Sequence, residues 1–440
     1  MYAPQPPWTH AEARYRVVGE SRIIEMLLLQ GWAFEVRNGE RAAAQREAAG
    51  ALAHWVRLGL RFATASDGWR LYDPAEVVNF FKWAGVNRGD PFYVARFIAQ
   101  GHAMVLDFHG AGASVASPPS PAALGPRRLR VTLRREFDLR GAARGARVLL
   151  RLPTPLEDDA ATDIALRFLV PPEIIADVAR APGRLDARLA APGAPTLTLG
   201  VEATFTARPT APGASPAPLA AVDRELYTRV GEGLLRISRR VASLAAALGG
   251  SEQAPAVLVR RFWDFIADEI AIGAVHYDEL DAAAPLDLVL ERRLADCQLA
   301  SALLAALCRA RGVPARVVSG YLVYPVSPGY HFWAEVWLPD RGWTPFDSMA
   351  IDHSARGRDP AWRDYFFGCL DYRMKTQCLP RVFNLAPSVR FPPAWHVLVR
   401  PEGAGTEIGT FANDTGALVY RDWVEIADAD AAPSVNATPL

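Results

Sequence analysis

Lysine is nearly missing from this 440-residue chain: Lys82 and Lys375 are the only two, and arginine carries almost all the positive charge. A GC-rich genome accounts for that bias, and for the abundant alanine, more economically than function does. Net charge is missing too, because 48 basic residues balance 48 acidic ones. No overall field attracts nucleic acid or an anionic membrane surface, so neither is expected as a partner. Cysteine is scarce: Cys297, Cys308, Cys369 and Cys378 lack any CxxC spacing. That argues against a disulfide framework and against a zinc site. No segment has the uninterrupted apolar length of a membrane helix. The opening "MYAPQPPWTHAEARYRV" lacks a basic stretch followed by an apolar one, so a cytoplasmic protein with reduced thiols is expected.

At about 150 residues per domain, the length implies two or three folded units. Residues 1–110 read as a helical N-terminal domain, with "PAEVVNFFKWAG" and "PFYVARFIAQGHAMVL" among its amphipathic stretches. Its aromatic residues Phe80, Phe81, Trp83, Phe92, Tyr93 and Phe97 suit a helical core. A proline- and small-residue-rich linker covers 111–127. Residues 128–206 alternate with strand periodicity, as in "LRVTLRREFDL" and "TLTLGVEATFTA", and read as a β-sandwich-like domain. A second linker spans 207–219, a chemistry-bearing domain 220–400, and a C-terminal extension 401–440. The third domain opens with two long helical stretches, "VDRELYTRVGEGLLRISRRVASLAAAL" and "APAVLVRRFWDFIADEIAI".

Asp296 is a good helix N-cap, Gly312 suits the position just past a helix end, and Pro314 follows, so 297–311 is bounded as a helix. Cys297 then occupies the first turn, where unsatisfied backbone N–H groups and the helix dipole favour a thiolate over a thiol. Cys308, mid-helix, reads as core. Downstream, "VPARVVSGYLVYP" and "HFWAEVWLPDRGWTPFDSM" read as three strands, with His331 heading the second and Asp347 ending the third. A thiol nucleophile needs a base, and the base needs a group to orient it; Cys297, His331 and Asp347 supply all three types. A simple hairpin around Asp340-Arg341 pairs Asp347 with Ala334 and aims it away from His331. A bulge near Pro345, or an end to regular pairing there, is therefore required.

These motifs, "ADC", "CRARGVPARVVSGYL", "HFWAEVWL" and "GWTPFD", resemble the bacterial type of the transglutaminase-like superfamily. The resemblance implies an α+β chain: a papain-like core, with a central helix against a small antiparallel sheet, preceded by a β-sandwich and the N-terminal helical domain. It implies Cys297 as nucleophile, His331 as general base and Asp347 as the residue orienting it. "HYDEL" from His276 and "FFGCLDYRMKTQ" from Phe366 are weaker flanking features. The family's Gly-Asp-Cys is Ala-Asp-Cys here, which is tolerable where Ala295 avoids positive φ. The calcium sites of the animal enzymes have no counterpart, so no metal and no cofactor are expected.

The expected activity is formation of an acyl-enzyme from an amide or thioester carbonyl, resolved by water (protease or amidase) or by an amine (transglutaminase or amide synthase). Its partners would be a peptide or protein substrate, or a carrier-bound acyl group. The alternative is a non-catalytic binding module that keeps the fold to hold a protein or peptide. Tyr277, Gln298 and Trp333 are substrate-binding candidates, the first two also as a second oxyanion donor beside the Cys297 amide. Trp333 more often means strand packing, Glu335 an arginine ion pair, and His353 an exposed loop histidine.

Overall fold

The computed structural model describes residues 17–430 except 88–89, 91–92, 111–117, 140–141, 211–216, 232, 277–278, 355–358, 380–394, 397–399, 403–404 and 412–419. The architecture is α+β. In the N-terminal region, helices Glu20–Gly31, Arg41–Arg57 and Pro74–Asn87 enclose Trp32, Trp55, Phe80 and Phe81, each at most 3 % exposed. A small sheet of Val18–Gly19, Arg70–Tyr72 and Ala63–Thr64, too short for a periodicity signal, adds to this helical region. Phe92 and the side chain of Tyr93 lie outside the described residues. Helix Ala99–His109 behaves differently, because Val105 and Phe108 join the large core of the regions that follow. The last helix of this region is therefore also a strut against its neighbour.

Two antiparallel sheets make the β region. Strands Arg127–Asp138 and Thr196–Ala207 pair along their whole length at the heart of the larger one. Strand Tyr420–Asp428, from the segment set apart by sequence as an extension, pairs with Arg127–Asp138 on its other side. Its alternation buries Asp422, Val424 and Ile426, and Asp422 holds the buried Arg135 guanidinium by two hydrogen bonds of 2.6 and 2.7 Å. The smaller sheet contains Arg147–Pro153, Arg184–Ala190 and Ala176–Ala181.

The third region is a four-stranded antiparallel sheet crossed by one helix. The strand order is Gly342–Phe346, Gly329–Leu338, Ala315–Leu322, Arg373–Leu379. Helix Cys297–Ala310 lies on it through Leu299, Leu303, Leu304 and Leu307, none more than 2 % exposed. Each such burial contributes about 1.5–3 kcal/mol relative to exposure. The first of the two long helical stretches is broken: Ala221–Tyr227, a short turn Gly233–Leu235, then Arg239–Gly249. The first helix closes at Thr228, whose N–H bonds Glu225 O, Gly233 opens the turn at φ +44°, and Ser238, whose hydroxyl accepts from the Val241 N–H at 3.2 Å, starts the next helix. Among the described residues no helix is long and apolar enough to cross a membrane.

Candidate active site

Cys297 opens its helix as the sequence implies. The Asp296 carboxylate caps it, accepting from the Leu299 N–H at 2.8 Å. At the far end Gly312, φ +71°, donates to Arg309 O and Val313 to Cys308 O, the pair of bonds that ends a helix with a left-handed residue. Ala295 does not have positive φ; Arg293, two residues earlier, takes the left-handed turn at φ +55°. Leu294–Ala295 then pairs in parallel with Ala271–Ile272, fixing the approach to the cysteine.

His331 and Asp347 meet because of the hairpin's register. The loop is three residues, Pro339-Asp340-Arg341, with Leu338 paired to Gly342 at φ +73°. A third loop residue closed by a left-handed glycine shifts the pairing by one from the two-residue expectation. Phe346 thus pairs with Ala334, and the next position faces Trp333, on the His331 side of the sheet. No bulge near Pro345 is present or needed, because Pro345 pairs regularly with Glu335 and the loop alone sets the register; beyond Phe346 the Asp347 N–H bonds to Phe366 O at 3.1 Å. The two carboxylate oxygens lie 2.8 and 2.9 Å from His331 Nε2. That leaves Nδ1 for the Cys297 thiol, which lies near enough to the ring to raise its pKa.

Charge follows geometry. Burial alone would lower the His331 pKa, but the Asp347 carboxylate and then Cys297 outweigh it and raise it to about 10. The ring is therefore charged at neutral pH. Burial likewise opposes ionisation of Asp347, yet His331, Arg373 and the Met349 N–H, at 2.9 Å, hold its carboxyl below the ordinary range. Arg373, 2 % exposed, links this pair to a second layer: it bonds Tyr324 at 3.0 Å and pairs with Asp371. His109, from the N-terminal helix, contacts the same Asp371 at 3.1 Å.

Other expectations sort cleanly. Glu335 is an ion-pair residue: it accepts from Arg316 at 2.8 and 2.6 Å and contacts Lys375 at 2.9 Å. Burial would push its carboxyl up, but Lys375 and Arg316 hold it at about 2. His353 is not an exposed loop residue. It is 5 % exposed, close to His102 and Trp362, and burial first, then His102, lowers its pKa to about 3. Among the described residues no carboxylate is bonded to its ring, so its neutral form is the one the site keeps.

A cleft of about 310 Å³ opens beside Cys297, His331 and Asp296. Of the substrate-binding candidates, Gln298 is half-buried in the first helical turn and Tyr277 lies outside the described residues. Trp333 is 1 % exposed, is not among the cleft-lining residues, and packs over Gly320, where an added Cβ would sit 2.9 Å from its ring. The sequence reading did not single out Ser348, which lines the cleft with a buried hydroxyl that has no hydrogen-bond partner among the described residues. Nor did it foresee that Met26, Val78, Lys82 and Phe97 of the N-terminal region form one wall. No local pattern marks such residues, because the wall exists only once two domains pack.

No curated protein matches the chain. Solved structures similar to it include a candidate cysteine protease from Cytophaga hutchinsonii, 16% identical over 70% of this chain and 93% of that one, at TM-score 0.44. The periplasmic domain of TgpA from Pseudomonas aeruginosa is 18% identical over 54% and 94%, at TM-score 0.29. A candidate protease from Parabacteroides distasonis ATCC 8503 is 10% identical over 67% and 69%, at TM-score 0.23. At these scores none carries an argument about this chain. Residues 242–348, which hold the Cys297 helix, His331 and Asp347, match the family model of the Transglutaminase-like superfamily, and this segment is a transglutaminase-like domain.

Proposed function

We propose that the protein is a cysteine enzyme that takes an acyl group from an amide or thioester onto Cys297 and passes it to water or to an amine. One observation carries the reading: Cys297, at a helix N-terminus, and His331, bonded to Asp347, line the same cleft, with Cys297 near enough to raise the histidine's pKa. With its proton passed to His331, the Cys297 sulfur attacks the carbonyl carbon, and the developing oxyanion meets the Cys297 amide, which has no intrahelical acceptor at this position. His331 gives its proton to the departing nitrogen or sulfur as that bond breaks. Asp347 holds the ring for both directions of proton transfer. In the second half, water or an amine loses a proton to His331 as it attacks the thioester, and the Cys297 sulfur leaves.

The substrate is a peptide or protein, or an acyl group carried as a thioester. Four free cysteines suit a reducing compartment such as the bacterial cytoplasm. The test is intact mass after incubation with thioesters of N-acetylcysteamine. The wild type gains one acyl group and Cys297→Ala gains none; acylation that survives this substitution overturns the assignment. Adding a primary amine then separates the two fates, amide product against free acid.

A further inference from the structure

The wall opposite Cys297 has an unusual construction. Residues Ile272, Gly273, Ala274 and Val275 line the cleft, and one edge of this segment is bonded toward the cysteine: Ala271 N–H to Arg293 O and Gly273 N–H to Ala295 O, both 2.8 Å. Its other edge would offer Ile272 and Ala274 to an added strand, the usual way an extended peptide docks beside a sheet. The N-terminal helix Pro74–Asn87 has taken that edge. Asn79 accepts from the Ala274 N–H at 2.8 Å and donates to Ala274 O at 2.9 Å, and Lys82 donates to Ile272 O at 2.7 Å. The same lysine holds Asp352 at 2.9 Å, so these two charges in the cleft cancel each other. What remains facing the sulfur is largely apolar, including Met26, Val78, Phe97, Val275, Leu322 and Phe332.

We infer that this cleft holds a single apolar acyl chain, inserted end-on from its thioester bond to Cys297, and does not hold an extended peptide backbone; the N-terminal helical region is its specificity wall. This rests on Cys297 being the acyl-forming nucleophile. The cleft is contiguous with that sulfur, so a group bonded there extends into it. Its apolar lining desolvates methylenes favourably, and Lys82 and Asn79 already bond Ile272 O and both Ala274 backbone groups, so a peptide backbone entering it could not pair with them and would leave most of its polar groups unpaired.

The test compares acetyl, butyryl, hexanoyl and octanoyl thioesters of N-acetylcysteamine with N-acetyl-tetrapeptide thioesters of the same leaving group. Acylation kcat/KM rises roughly fourfold per added methylene until the cleft is full, and the peptide thioesters fall below hexanoyl. Val78→Trp and, as a second variant at another point of the wall, Ala75→Trp each lower the octanoyl-to-acetyl ratio at least about tenfold. A flat acyl series, or peptide thioesters that outpace octanoyl, overturns the assignment while leaving the enzyme reading intact. N-methyl- and N-octylmaleimide probe the cleft without catalysis. If no thioester acylates the protein yet the octyl reagent labels Cys297 faster, the enzyme reading fails and the apolar cleft stands; equal labelling by both reagents counts against the cleft.

Discussion

Cys297 and Cys308 sit near opposite ends of one helix and differ in everything except residue type. Cys308 is fully buried among leucines and alanines, and burial pushes its thiol well up. Cys297 is half-buried, follows a capping aspartate, and shares a cleft with a charged histidine. The same side chain is a small hydrophobe in one place and a candidate nucleophile in the other. What separates them is position along the helix dipole and the neighbour across the sheet.

The largest expected break in that comparison is removal of the neighbour. His331→Ala lowers the acylation rate by roughly 10²-fold to 10⁴-fold, read by stopped acyl-enzyme formation. Asp347→Ala costs less than loss of the histidine but still roughly a hundredfold or more, since the base remains while its orientation and the carboxylate that keeps it charged are lost. Cys308→Ala leaves acylation in place and costs about 1 kcal/mol of stability, seen as a lower urea midpoint.

The histidine also sets a pH window. Its folded pKa lies above the ordinary value of 6.5, at about 10, so its stabilising contribution is fully present below about pH 6.5 and is lost as pH rises through about 10. The melting-temperature gap between wild type and His331→Gln should therefore narrow from pH 6.5 to pH 10; a gap that widens contradicts the ion pair. A backbone substitution sharpens the register argument. Gly342→Val forces a β-branched residue to φ +73° and costs about 1 kcal/mol or more in thermal unfolding, with a further loss of acylation as Asp347 shifts.

The helix of the cysteine was legible because its signals are local: Asp296, the leucine spacing, Gly312 and Pro314. His331 and Asp347 were legible as residue types in chain order. Their meeting was not fully so, since two- and three-residue loops through Pro339-Asp340-Arg341 differ by one register step and the sequence "PDRG" permits both. Strand Tyr420–Asp428 escaped assignment to the sandwich because its partner, Arg127–Asp138, lies some three hundred residues earlier in the sequence, and nothing local announces such a pairing. Asn79 and Lys82 were invisible for a related reason: their partners, Ala274 and Ile272, are backbone groups of another domain. The two lysines that looked like residue noise in an arginine-rich chain both sit in ion pairs, Lys82 with Asp352 and Lys375 with Asp158 and Glu335.

The most direct test of the central claim is the rate of Cys297 alkylation by iodoacetamide against pH, followed by mass spectrometry in wild type and His331→Ala. A free thiol loses roughly a hundredfold in rate between pH 8 and pH 6. A Cys–His pair predicts a wild-type rate that stays within about threefold over that range, and a steep fall in the variant. A wild-type rate that falls as a free thiol does, unchanged by the substitution, would contradict the account.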